Sequence, residues 1–351
     1  MFHLITTINR GGAENQLLIL VKEQIKQGFD VHVVYLKGEP ELRADLVSSG
    51  ALVHSELASL SPFLQPFKLG RLIRGKNAIV HAHLPRAELV ALLTFTKFKF
   101  FASRHNAESF FPGAPRIISN FLSRLVEIRS RKVIAISNAV KDFLISTGEV
   151  THSENIAVIH YGYQLQCEGR AAKANSKSQI LELGTISRLT DQKDIPTMLS
   201  AFLEYKTQSP ASSLSILGTG PLEFDLKKVT KQMGIEDSVI FMGRSPFIYD
   251  FLTKLDAFIL TSKYEGFGMV LLEAMDAGIP VIASRNSAIP EVLGDDFPGL
   301  CTAGESGDFC RKIEMLNDPV YRKMILDKQR IRLKLFGAEA MSQKIKEIYS
   351  L

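Results

Sequence analysis

The stretch from Asp256 to Val292 gathers residues that could hold a phosphorylated, hydroxyl-bearing ligand. It reads as a strand (Ala257–Thr261), a glycine-rich turn, an apolar helix to about Ala277, a second turn and a strand at Val281–Ser284. Gly266 and Gly268 let the backbone approach a ligand closely. Amides at the helix N-terminus favour a negative group such as a diphosphate. Glu265 lies in the turn, and Glu273 lies within the helix, where its carboxylate could accept bonds from two neighbouring sugar hydroxyls. Either acid alone also fits a solvated or capping carboxylate. Elsewhere, His81-Ala82-His83 closes a strand and places two imidazoles on one face, a spacing compatible with a metal. No cysteine or carboxylate partner stands nearby in sequence, and no metal site is expected. Arg104-His105-Asn106 sits at the C-terminal end of another strand, where ligands of open parallel sheets gather.

The elements that must position these groups alternate. Strands are expected at Phe2–Thr6, Val31–Leu36, near Leu52, and at Ala78–His83, Phe98–Ser103, Lys132–Ile136 and Ile156–His160. Gly11-Gly12 opens an amphipathic helix to about Gln27, the nucleotide-fold arrangement in which a small residue lets amides meet phosphate. Further helices begin near Glu41 and after Pro85, a basic one spans Pro115–Arg129, and Ser137 is placed to cap Asn138–Ser146. The polar segment 164–178 reads as an interdomain linker. The alternation then restarts: Ile180–Thr185, Leu214–Leu217, Ser238–Met242, and helices Asp308–Leu316, Pro319–Leu335 and Ala338–Tyr349.

Tyr264-Glu265-Gly266-Phe267-Gly268-Met269, Glu273-Ala274 and Gly278-Ile279-Pro280-Val281 together resemble the donor-site signature of family 4 of the glycosyltransferases. That resemblance implies a GT-B fold of α/β class: two facing Rossmann-like domains with parallel sheets and a cleft between them. The N-terminal, acceptor-binding domain would cover 1–163, completed by the C-terminal helix 338–351, and the nucleotide-sugar-binding domain 179–337. It also implies a retaining sugar transfer. Arg188 and Lys193 match the pair that neutralises the donor diphosphate; fixed cations stabilise that leaving group without a metal. Glu273 would hold the ribose, and Glu265 with the backbone at Phe267, Gly268, Met269 and Val270 the sugar and phosphate. Gly218 matches a donor-domain turn, and Gly12 and His105 would line the reaction centre. His83, Arg104 and His105 would face the acceptor. The chain departs from the family at His160-Tyr161-Gly162, in place of Pro-Asn-Gly, and at Ser287, where relatives often carry glycine.

At 351 residues and 46% apolar, 23% charged, the chain suits two soluble domains. Three unpatterned cysteines argue for a reducing compartment, and no apolar run or signal-peptide layout appears, so a cytoplasmic location is expected. The net charge of +5 is unevenly spread: from Phe67 to Lys141, fourteen basic residues face three acidic ones. Phe63, Phe67, Phe95, Phe98, Phe100, Phe101, Phe110 and Phe111 interleave with them. Such a surface suits anionic lipid, nucleic acid or a phosphorylated acceptor. The expected partners are a nucleotide sugar, UDP-linked on the family's pattern, a lipid-linked or saccharide acceptor, and the inner face of an anionic membrane. No nucleic acid and no cofactor are expected. A nucleotide-sugar epimerase on the same fold, or a non-enzymatic sugar-binding protein, are the alternative readings.

Overall fold

The computed structural model describes residues 1–166 and 182–350. Most of the expected linker, Cys167 and the first residues of the strand expected at Ile180 lie outside the described residues. The chain divides into two compact units, Met1–Gln164 with Phe336–Leu351, and Leu165–Leu335.

The first unit holds seven parallel strands: β1 (Phe2–Ile5), β2 (His32–Tyr35), β3 (Leu52–His54), β4 (Ile79–His83), β5 (Lys99–Arg104), β6 (Lys132–Ala135) and β7 (Ile156–Val158). Their order is β3-β2-β1-β4-β5-β6-β7. Central strands such as Phe-His-Leu-Ile of β1 are buried at every position, because helices cover both faces of a parallel sheet. On one face, α3 (Gln65–Ile73), α4 (Pro85–Leu92) and α5 (Arg116–Arg129) pack through Leu69, Ile73, Val90 and Val126. The α3 helix was not foreseen from the sequence. The remaining helices of this part are α1 (Gly12–Lys26), α2 (Arg43–Ser48) and α6 (Asn138–Ser146). Ser137 caps α6, its hydroxyl accepting from the Val140 amide at 3.1 Å.

The last helix of the chain, α14 by order, covers Ala338–Tyr349 and belongs to this first unit. Its Met341, Ile345 and Tyr349 cluster with Leu20 of α1 and with Phe101, Ile134 and Ile159. Burying each such aliphatic side chain contributes roughly 1.5–3 kcal/mol. Gly162 is required where the helix begins: a Cβ there would stand 2.7 Å from the Ala338 Cα.

The second unit holds β8 (Glu182–Ile186), β9 (Ser213–Leu217), β10 (Val239–Gly243), β11 (Ala257–Leu260), β12 (Val281–Ser284) and β13 (Leu300–Cys301). All pair in parallel, in the order β10-β9-β8-β11-β12-β13. Its helices are α7 (Ile195–Gln208), α8 (Glu223–Gln232), α9 (Ile248–Leu252), α10 (Met269–Asp276), α11 (Ile289–Leu293), α12 (Ser306–Met315) and α13 (Pro319–Leu333). Each sheet therefore reverses direction of winding beside its first strand, between β1 and β4 and between β8 and β11. Ligands of doubly wound sheets bind at the C-terminal edge of that reversal.

Candidate active site

In the second unit the loops leaving β8 and β11 meet at this edge. Thr261 donates its hydroxyl to the carbonyls of Lys193 and Asp194, each at 3.0 Å. Gln192 donates to the Tyr264 carbonyl at 2.9 Å, and the Lys263 amide to the Gln192 carbonyl at 2.8 Å. Behind them lies the turn after β9. Gly218 has φ +142, and a Cβ on it would sit 1.9 Å from the Ser187 carbonyl oxygen. Only glycine permits that approach, so Gly218 acts here by letting the Arg188 loop pack down.

Lys193 and Glu265 form an ion pair at 2.6 Å, with side chains 12% and 8% exposed. The Ser262 hydroxyl donates to the same Glu265 oxygen at 2.7 Å. Glu265 thus balances Lys193 in this structure, while Arg188 is exposed and reaches Gln192 at 3.4 Å. Of the two cations singled out in the sequence, Lys193 is thus ion-paired and Arg188 faces solvent. Gly268, at φ +87, caps α10, so the helix N-terminus at Met269 and Val270 opens at the same strand edge; Phe267 is buried beneath it. Glu273 lies half-buried one turn on, and burial pushes its carboxyl up to about 7. Ligand hydroxyls donating to it would favour its charged form. Ser287 holds φ +52, a left-handed conformation costly for serine, and its hydroxyl bonds the Glu265 carbonyl at 2.8 Å.

The first unit presents a different chemistry. Gly12 opens α1, and a Cβ there would meet nothing within 4 Å. His83 and Arg104, expected to face an acceptor, are turned into the interior, 2% and 5% exposed. Arg104 Nε lies 2.9 Å from a Glu88 oxygen and its Nη1 donates to Glu149 at 3.2 Å, while its guanidinium stacks on Phe110. Glu88 is fully buried; desolvation pushes its carboxyl up to about 7 although Arg104 pulls the other way. It lines a cavity of about 130 Å³ with Arg104, His105 and Asn106. Neither acid was singled out in the sequence, because Glu88 and Glu149 are brought to Arg104 only by tertiary packing.

His105 is also buried, with both ring nitrogens bonded inside this unit, Nε2 to His83 at 3.2 Å and Nδ1 to the Tyr161 hydroxyl. Tyr161, standing where the family pattern has asparagine, therefore contacts the residue expected at the reaction centre. A third imidazole, missed in the sequence, joins the His81/His83 pair: His3 of β1 lies opposite His81 in register. Ring nitrogens of His3, His81 and His83 lie within 4.8 Å of one another. Strand parity combined with the β1–β4 pairing was the signal that could have found it.

The basic, aromatic window resolves into two populations. Phe100, Phe101 and Phe110 are core residues, whereas Phe63, Phe67 and Phe95 are 85%, 63% and 90% exposed. The basic helix α5 adds exposed Ile117, Phe121 and Ile128 beside exposed Arg116 and Arg124. Among the described residues no helix is long and apolar enough to cross a membrane.

Comparison with known proteins covers both units. The family described as Glycosyltransferase Family 4 matches residues 10–166, and Glycosyl transferases group 1 matches residues 170–332. The N-acetyl-alpha-D-glucosaminyl L-malate synthase of Bacillus anthracis is 31% identical over 47% of this chain, but the match spans only 44% of that protein. The capsular polysaccharide biosynthesis glycosyltransferase CapH of Staphylococcus aureus is 23% identical over 99% of this chain and 98% of that protein. Among solved structures, Anabaena Alr3699/HepE in complex with UDP-glucose aligns with a TM-score of 0.82 at 20% identity, covering 100% of this chain and 99% of that one.

Proposed function

Since this chain belongs to the group 1, family 4 glycosyltransferases and has their GT-B fold, we propose that it moves a sugar from a UDP-linked donor to a hydroxyl of a lipid-linked or cell-surface polysaccharide acceptor, with retention at the anomeric carbon. The observation that carries this reading is the joined β8 and β11 loops, with exposed Arg188 beside the Lys193–Glu265 pair at the N-terminus of α10. A departing nucleoside diphosphate gains negative charge in the transition state, and cations already fixed in place stabilise it. Glu273 suits two ribose hydroxyls, whose bonds would relieve its desolvated carboxyl. The UDP ligand of the HepE structure supports the choice of base. No divalent metal is needed on this reading, because Arg188 and Lys193 supply the charge.

The exposed Phe63, Phe67 and Phe95, with α5, suit an anionic bilayer, which would bring the first unit beside a lipid-linked acceptor. Each engaged lysine or arginine contributes about 1 kcal/mol at such a surface. A thermal-shift screen of nucleotide sugars, followed by product analysis with the stabilising donor, tests the transfer. Stabilisation by UDP-sugars and an α-linked product from an α-linked donor are expected. An inverted product, or no response to any nucleotide sugar, would contradict it.

A further inference from the structure

The inner face of the first sheet is unusual in what it buries. His3 of β1 lies opposite His81 of β4, His83 of β4 lies opposite Ser103 of β5, and His105 follows two positions beyond Ser103. The helices α1 and α14 close over them with apolar residues. Four imidazoles in such surroundings would be costly unless each ring nitrogen found a partner. Each does. The His3 Nε2 meets Gln24 Oε1 at 2.7 Å, and His3 Nδ1 meets His83 Nε2 at 3.0 Å. His83 Nδ1 meets His105 Nε2 at 3.2 Å, and His105 Nδ1 meets the Tyr161 hydroxyl. On the other side of Gln24, its Nε2 reaches the Tyr349 hydroxyl at 3.4 Å, which bonds His81 Nδ1 at 2.7 Å; His81 Nε2 bonds Ser103 Oγ at 2.7 Å.

A neutral imidazole has one donor and one acceptor nitrogen, so a chain of them must run in a single direction. Burial holds these rings neutral: it lowers His3 to about 4 and His105 to about 3, and lowers His81 and His83 well below the ordinary value. The direction then follows from which end of the Gln24 carboxamide faces His3, the opposite orientation reversing every tautomer. With its oxygen 2.7 Å from His3 Nε2 and its nitrogen toward Tyr349, His3 carries its proton on Nε2 and accepts at Nδ1. His83 must do the same, and so must His105. Gln24's amide nitrogen donates the other way, to Tyr349, whose hydroxyl donates to His81.

We propose that Gln24 is a positioning residue that sets the proton arrangement of His105 through His3 and His83. The relay holds His105 as the Nε2–H tautomer, with Nδ1 an acceptor occupied by Tyr161. Its consequence for catalysis rests on the transferase reading: a ligand hydroxyl taking Tyr161's place would find an acceptor nitrogen without positive charge. The three-histidine cluster could alternatively ligate a metal, but each of its ring nitrogens is already spent within the relay.

Two-bond proton–nitrogen spectra of the unliganded full chain, labelled with nitrogen-15 histidine, test this without reference to activity. At pH 7 the signals of His3, His83 and His105, assigned by single replacements, should each show a protonated Nε2 and a bare Nδ1. In Gln24→Leu the His105 signal should lose its single tautomer and average between two. Nδ1–H at His105 in the native protein would overturn the proposal, as would an unchanged His105 signal in Gln24→Leu. So would loss of the relay signals on adding one equivalent of zinc. Because these spectra need neither donor nor acceptor, failure of the transferase reading would appear separately, as absent product.

Discussion

The two units wind their sheets the same way yet treat charge oppositely at the C-terminal ends of their strands. In the second, Arg188 is exposed and Lys193 is held by a single acid at the loop edge. In the first, the arginine is sealed between two carboxylates and the histidines are buried and neutral. An exposed cation can turn to an incoming phosphate without breaking a buried ion pair. A buried one is committed to its partners, because breaking its pairs leaves charge in a low dielectric. The same topology thus carries an exposed cation on one edge and sealed charge with neutral imidazoles on the other.

Breaking that contrast should cost most in the first unit. Arg104→Ala is expected to destabilise the fold by about 3–5 kcal/mol, the scale for orphaning a buried ion pair. Chemical denaturation would read this, and a loss below about 1 kcal/mol, typical of surface pairs, would contradict it. Arg188→Ala should do the reverse: roughly 100-fold lower turnover, the scale for one lost charged stabiliser, with unchanged melting temperature. Lys193→Ala should lower both, since it leaves Glu265 buried without its cation. Chelation by EDTA should leave the native rate as it was; activity abolished by EDTA and restored by manganese or magnesium would show that the cations do not suffice.

The next contrast is in pH. Glu88 and Glu273 both titrate near 7 when folded against an ordinary 4.5. Between those values the folded chain holds protons that the unfolded chain has released. Their contribution to stability is therefore complete below 4.5 and is lost as pH rises through 7. Melting temperatures measured from pH 4.5 to 8 should fall less steeply in Glu88→Gln and Glu273→Gln than in the native protein. Saturating UDP should remove the Glu273 part alone, through hydroxyl donors absent from the Glu88 cavity. The smallest effect is expected at Ser287→Gly, which relieves the left-handed φ but loses the bond to the Glu265 carbonyl. Those opposed terms should leave stability within about 1 kcal/mol of native.

The strand positions, the Ser137 cap and the Glu265–Glu273 turn were legible because local chemistry dictates them: buried runs, a capping hydroxyl and glycines at positive φ. Helix α3 was not: it is nine residues long with Gly70 inside it, and the packing of Leu69 and Ile73 decides it. Exposure was the least legible property. Nothing near Arg104 in sequence announces Glu149, and nothing near His83 announces His3 or Gln24. Those partners come from other strands and helices, so only the folded register brings them together.

The central claim, that the charged edge of the second unit serves a nucleoside diphosphate leaving group, is tested most directly by incubating the protein with UDP-sugar and measuring free UDP with and without an acceptor fraction. The account predicts UDP release only when acceptor is present, and its loss in Arg188→Ala. Interconversion of the nucleotide sugar without an acceptor, or release at the native rate in Arg188→Ala, would contradict it.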